Sequence, residues 1–179
     1  MAWTAPMTAV ENTIFTSTQY NTYVRDNMLE TAPAKLTAAG MIPVGNGLNS
    51  IVGRSVSGAA VGTPQATTST TFTDLATVGP TVTLTTGARA LVLFAANEMN
   101  SVTNGASVMS VAVSGATTIA AADSNSATLN GITAANADSC ASFIYFSALT
   151  PGSNTFTCKY RVTSGTGTFS ARSITVIPL

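Results

Sequence analysis

Apolar and polar residues alternate through most of the second half of this chain, most cleanly over residues 155–162. There Phe156, Cys158, Tyr160 and Val162 fall on one side, and Thr155, Thr157, Lys159 and Arg161 on the other. A period of two is the signature of a strand with one buried and one wet face. The same signal predicts strands over 67–73, 81–86, 90–99, 107–114, 117–122, 141–148 and 168–177. Between them lie turn-forming stretches such as "TTGAR", "VTNGAS", "LTPGSNT" and "TSGTGT", rich in residues that tolerate tight backbone geometry. The expected fold is mainly β: an antiparallel β-sandwich or jelly roll of about eight strands over residues 65–179.

A different period governs the front end. Tyr20, Tyr23, Val24 and Met28 recur at helical spacing. Thr16 and Gln19 have the form of a capping box ahead of them, and Pro33 stops the run. The pattern predicts a short helix over about 17–31, with Arg25 and Asp26 off the apolar stripe. A helix of this length is marginal alone in water, so its stripe needs a docking surface. Residues 40–64, "GMIPVGNGLNSIVGRSVSGAAVGTP", hold glycines interspersed with Met41, Ile42, Val44, Leu48, Ile51 and Val52. They read as an extended glycine-rich arm with short pieces packed on a neighbour. Three zones result: an N-terminal anchor over 1–39, the arm over 40–64, and the sandwich over 65–179.

Charge narrows the function classes. Seven basic residues balance seven acidic ones, and only 8% of the chain is charged. No basic excess is available to grip phosphates, so nucleic acid is not an expected partner. A neutral, sparsely charged surface favours association instead. The longest apolar run, residues 90–96, is too short to span a bilayer, and the opening residues lack the pattern of an export signal. No membrane partner is expected.

Candidate chemistry is sparse. The chain has no histidine, which removes the commonest general base and metal ligand. No phosphate-cradling glycine loop, nucleophile elbow or paired-cysteine motif is present. The carboxylates of the β zone are Asp74, Glu98, Asp123 and Asp138. Their spacing singles out no acid–base pair, and each reads as a solvated loop or strand-end residue. Asp123 and Asn125 could offer oxygens to Ca²⁺ but form no complete loop. We therefore expect no enzyme activity, no cofactor and no metal. Cys140 and Cys158 are the two cysteines. If residues 141–148 and 155–162 form a local hairpin through "TPGSN", they lie about 20 Å apart. That is too far for a disulfide, so both are expected to be free thiols.

The front end, "MAWTAPMTAVENTIFTSTQYNTYVRDNMLETAP", resembles the start of a family of tailed-bacteriophage and prophage virion proteins. The matching residues are Trp3, Thr4, Pro6, Asn21, Thr22, Val24, Arg25, Asp26 and Asn27. The stretch "AGMIPVGNGLNSIVGRSVSG" is similar to an element common in phage fibre and tail proteins, with Met41 where an acidic residue is usual. The remaining β domain looks like the one attached in the same family. The resemblance implies a virion structural protein, made in the host cytoplasm, of accessory head-decoration, head-fibre or minor tail type. Its partners would be other virion proteins, such as major capsid or tail proteins, and its expected state a homo-trimer. Anchoring would fall to Trp3, Tyr20, Tyr23, Val24, Arg25, Asp26 and Met28. The alternative is a receptor- or carbohydrate-binding module on the phage particle, touching a host-surface glycan. The β zone offers only Tyr145 and Tyr160 as tyrosine platforms and has no tryptophan.

Overall fold

A computed structural model describes residues 3–130 and 138–179. The chain divides into two compact units, one ending at Val56 and one spanning Ser57–Pro178.

In the first unit, the helical run begins where the capping box sits. The Gln19 amide donates to Thr16 Oγ1 at 3.2 Å, and the Thr16 amide donates to Gln19 Oε1 at 2.9 Å, so two of the orphan amides at a helix start find partners. The run passes through α1 (Ser17–Tyr20), a π-helical turn over Asn21–Arg25 and α2 (Asp26–Met28); α3 (Ala32–Lys35) follows with Pro33 in its first turn. The helix thus ends three residues short of its expected limit, and Pro33 starts a new turn rather than stopping the old one. Proline suits that position, since its missing amide would have no intrahelical partner.

The glycine-rich stretch is not one extended arm. It forms β1 (Met41–Gly45) and β2 (Ile51–Ser55), an antiparallel hairpin pairing Met41 with Ser55 and Gly45 with Ile51. Its next segment, β3 (Ser57–Val61), already belongs to the sandwich. The domain boundary therefore falls at Ser57, not at residue 65. Glycine content suggested an extended arm, but Val44 on β1 and Ile51 and Val52 on β2 are half-buried, and Val44 pairs with Val52 across the hairpin.

The second unit continues with β4 (Gln65–Thr67), β5 (Thr81–Thr86), β6 (Ala90–Asn100), β7 (Ala106–Gly115), β8 (Ser126–Asn130), β9 (Asp138–Phe146), β10 (Gly152–Val162) and β11 (Gly167–Pro178). One sheet has the order β5-β10-β7-β8 and the other β3-β11-β6-β9, with β4 beside the start of β11. All pairings are antiparallel. This is the expected antiparallel β-sandwich of jelly-roll class, with more strands than the pattern counted. Val92, Phe94, Val111, Phe156, Cys158, Tyr160, Phe169, Ile174 and Val176 fill the space between the sheets, all at most 2% exposed.

Three strand expectations change. Residues 67–73 extend only to Thr67 before looping. Residues 117–122 make a single bridge, Ile119 to Val113, and then cross the outside of β7. There Ser110 Oγ donates to the carbonyls of Ala122 and Asn125. The hairpin expected between β9 and β10 does not form: β9 pairs with β6, and β10 pairs with β5 and β7 in the opposite sheet. The chain between them crosses the sandwich edge, steadied by Asn154, whose side chain donates to Thr86 Oγ1 at 2.8 Å and to the Thr150 carbonyl at 3.0 Å. Turn residues mark a reversal without saying whether it stays in one sheet. Cys140 and Cys158 are free, as expected, although the local hairpin from which their separation was reckoned does not form.

A register shift in β11 between Ser170 and Ser173 turns Arg172 into the core, where it is fully buried. A bulge of this kind re-aims a side chain without breaking the sheet. The guanidinium donates to the carbonyls of Thr77 at 3.3 Å, Gly79 at 3.1 Å and Thr63 at 3.4 Å, and to Gln65 Oε1 at 3.2 Å. It also lies 5.4 Å from the centre of the Tyr160 ring, whose hydroxyl donates to Gly79 O at 2.9 Å. One buried cation thereby ties two loops to the sheet. Arg172→Leu should lower unfolding stability by about 2–4 kcal/mol, because those carbonyls lose their donors in a dry site; urea denaturation measures it. In the first unit, a Cβ at Gly53 would sit 2.7 Å from the Lys35 carbonyl. Gly53→Ala should therefore cost on the order of 1–3 kcal/mol, seen as faster protease cleavage before Val56 with the sandwich intact.

Candidate functional site

The front unit is where the anchoring residues were expected, and its burial pattern is unusual. Among its described residues no hydrophobic side chain is buried; the buried ones are Asn27, Glu30 and Arg54. Polar groups hold it together. The Thr4 amide donates to Asn27 Oδ1 at 2.8 Å, and Asn27 Nδ2 donates to the carbonyls of Thr4 at 2.9 Å and Tyr23 at 3.1 Å. The Trp3 amide donates to the Asn49 carbonyl at the β1–β2 turn, at 2.7 Å. Lys35 Nζ donates to Glu30 Oε1 at 2.9 Å and holds that carboxyl below its ordinary value. Opening residues, helix and hairpin turn are thus joined by hydrogen bonds, not by an apolar core.

Its greasy side chains face outward instead. Leu48 is 89% and Ile14 86% exposed, and Val10, Phe15, Tyr20, Met28 and Leu29 are exposed as well. Met7, Val10, Thr13, Ile14 and Phe15 line a shallow apolar depression. Phe15 meets Tyr20 edge-on, with ring centres 6.2 Å apart. Of the expected anchor residues, Tyr20, Met28 and Trp3 are exposed, while Tyr23 and Val24 are half-buried. Arg25 and Asp26 pair with each other at 2.7 Å. Trp3 lines a second, open depression with Glu30, Asn49 and Ile51.

Sequence reasoning passed over Ile14 and Phe15, because they precede the helical stripe and belong to no periodic run; Leu48, read as part of an arm packed on a neighbour, is 89% exposed. Asn27 went unassigned although it stands in the recognised motif. An asparagine on the polar flank of a helix gives no signal of burial until its partner, the Thr4 backbone, folds against it.

Two carboxylates of the sandwich are held by cations, Asp74 by Lys159 and Asp123 by Arg161, each at 2.7 Å, while exposed Asp138 stands opposite Glu98 in the β9–β6 register. Asp123 is thereby engaged by a cation. No group of three His, Cys, Asp or Glu side chains poised for a metal occurs among the described residues. Nor is any helix among them long and apolar enough to cross a membrane.

Glu98 overturns the solvated reading: on β6 it points inward and is fully buried. Among the described residues neither of its carboxylate oxygens has a hydrogen-bond partner and no cation pairs with it, so burial pushes it from its ordinary 4.5 up to about 8. The neighbouring Cys140 thiol is raised to about 11, chiefly by burial and then by the nearby Glu98 and Asp138 charges. Cys158 is raised to about 12 by burial. Both are poor nucleophiles near neutral pH.

The class of protein that emerges is an antiparallel β-sandwich with a polar-stapled, apolar-surfaced N-terminal unit. No family model matches the chain, and no curated protein matches it. Solved structures give weak likenesses of fold. Eiger TNF from S. frugiperda is 14% identical, over 69% of this chain and 92% of that one, with a TM-score of 0.48. The infectious bursal disease virus VP2 subviral particle is 10% identical, over 76% of this chain and 37% of that one, with a TM-score of 0.48. T=1 particles derived from the same virus give 12%, over 77% and 36%, with a TM-score of 0.47. The chain thus spans about a third of the viral chains it matches. At this distance no functional argument rests on any of them.

Glu98 makes stability depend on pH. The unfolded chain releases this proton near 4.5, while the folded chain keeps it until about 8. Stability contributed by the protonated carboxyl is therefore complete below about pH 4.5 and falls as pH rises toward 8. Denaturant melts at pH 5, 7 and 9 should show a loss on the order of a few kcal/mol for the wild type. In Glu98→Gln that slope should flatten.

Proposed function

We propose that this chain is a structural protein of a bacteriophage virion, an accessory head-decoration, head-fibre or minor tail protein. It docks through its N-terminal unit onto capsid or tail proteins and presents the β-sandwich outward, as a homo-trimer, without catalysing a reaction. The observation that carries this reading is the front unit's lack of any buried hydrophobic side chain alongside its outward Val10, Ile14, Phe15, Tyr20, Met28, Leu29 and Leu48. Exposed apolar side chains gathered on so short a segment are costly to leave in water and mark an interaction surface. The resemblance of the Trp3–Pro6 and Asn21–Asn27 elements to phage virion proteins supplies the kind of partner.

The roles then divide. Asn27, bonded to Thr4 and Tyr23, shapes the anchor. Tyr20, Met28 and Trp3 contribute contact area, Tyr23 and Val24 brace the helix from its half-buried side, and Arg25 and Asp26 set polarity at the rim. Glycan binding draws little support, because the exposed aromatics of the sandwich, Phe143 and Tyr145, stand beside Leu93 and Leu91 rather than amides or carboxylates.

The test leaves the fold alone. Ile14→Glu, Met28→Glu and Leu48→Glu, combined in one chain, change only solvent-facing side chains. Incorporation into particles, followed by quantitative blotting of purified virions, should drop at least ~10-fold with circular dichroism unchanged. Normal loading of the triple variant would falsify the docking role.

A further inference from the structure

The two outer faces of the sandwich differ in chemistry. Outside the β5-β10-β7-β8 sheet, threonines bond across strands, Thr83 to Thr155 at 2.8 Å and Thr81 to Thr157 at 3.3 Å. Beside them run the ion pairs of Lys159 with Asp74 and Arg161 with Asp123. That is a face built for water.

Outside the β3-β11-β6-β9 sheet, the pairing register lays residues in rows. One runs Gly58–Thr175–Leu93–Phe143, and beside it lie Ile177–Leu91–Tyr145 and Ala60–Ser173–Ala95–Ala141. None of these residues is charged. Phe143 is 70% and Tyr145 50% exposed, and Leu93 is exposed between them and β11. Cross-strand pairs of aromatic with aliphatic side chains stabilise a sheet, but that does not require the pair to face solvent. The nearest charge along β6 is Arg89, one position before the strand begins.

We infer that this uncharged outer face, centred on Leu91, Leu93, Phe143 and Tyr145, is where copies of this chain pack against one another. Three observations point to a second copy as the occupant. The face offers no ion pair by which a charged partner would be selected. The whole chain has a net charge of zero, so identical copies approach without repulsion. The face is also large enough. Four strands at about 4.8 Å spacing and about 30 Å of strand length give roughly 550 Å² per copy. Two copies then bury roughly 1,100 Å², just past the ~1,000 Å² that a specific interface needs. This deepens the self-assembly proposed above by naming its surface, and it rests on that reading only for copy number.

Sedimentation of the full chain from ~1 to ~100 µM tests it, with Leu93→Glu and Phe143→Glu as variants. Both side chains are exposed, so both variants should stay folded, with far-UV circular dichroism unchanged. Wild type should sediment above monomer mass, and each variant should raise the self-association Kd at least ~10-fold. Wild type that stays monomeric throughout, or variants that assemble as tightly, would overturn the inference. Failure here is separable from failure of docking. The Ile14, Met28 and Leu48 variant probes particle loading with this face intact, while the Leu93 and Phe143 variants probe self-association with the front unit intact.

Discussion

A strand buries every second side chain, so two facing sheets enclose one face of each strand and leave the other outside. Everything else in this protein follows from how its residues are divided by that constraint. Phe156, Cys158, Tyr160 and Val162 go in, and their polar alternates go out. Where the outward alternates are threonines and paired charges, water is a sufficient neighbour. Where they are Leu93, Phe143 and Tyr145, it is a poor one. The first unit carries the same imbalance further, because a short helical run and a two-stranded hairpin give it little surface with which to enclose a core. A lone hairpin is marginal for the same reason. Its cohesion comes from the Asn27 and Trp3 hydrogen bonds and the Glu30–Lys35 pair.

Arg172 and Glu98 enter the core on different terms. Arg172 arrives through a bulge and meets carbonyl oxygens already gathered at Thr63, Thr77 and Gly79, so its charge is solvated by backbone dipoles rather than by a carboxylate. Such a group contributes less net stability than specificity: only one register of β11 places it there. Glu98 has no comparable cradle and resolves the conflict by keeping its proton across the acid and neutral range. The same dry interior leaves Cys158 an inert, apolar filler.

The front unit and the outer sheet face pose one problem at two scales. Each leaves apolar side chains in water; the sheet face carries no charge among them, whereas in the front unit the charges of Arg25 with Asp26 and of Lys35 with Glu30 are paired within the unit. A surface of that kind is satisfied by a shaped, apolar counterpart. For the anchor we assign that counterpart to other virion proteins, and for the sheet face to further copies of the chain.

Local pattern alone determined the capped helix start at Thr16, the strand over Thr81–Thr86 and the inward set of β10, because capping and period-two burial depend on near neighbours in sequence. The resemblance to phage virion proteins singled out Trp3, Thr4 and Asn27, though not the contact of Thr4 with Asn27. Partner choice between strands was decided only in three dimensions. The turn before β10 could close a hairpin or cross to the other sheet, and it crosses: β9 pairs with β6, and β10 with β5 and β7. Burial of Glu98 and Arg172 was likewise hidden. A carboxylate near a strand end and an arginine in a serine-rich run look solvated until a bulge and a facing sheet set which way they point.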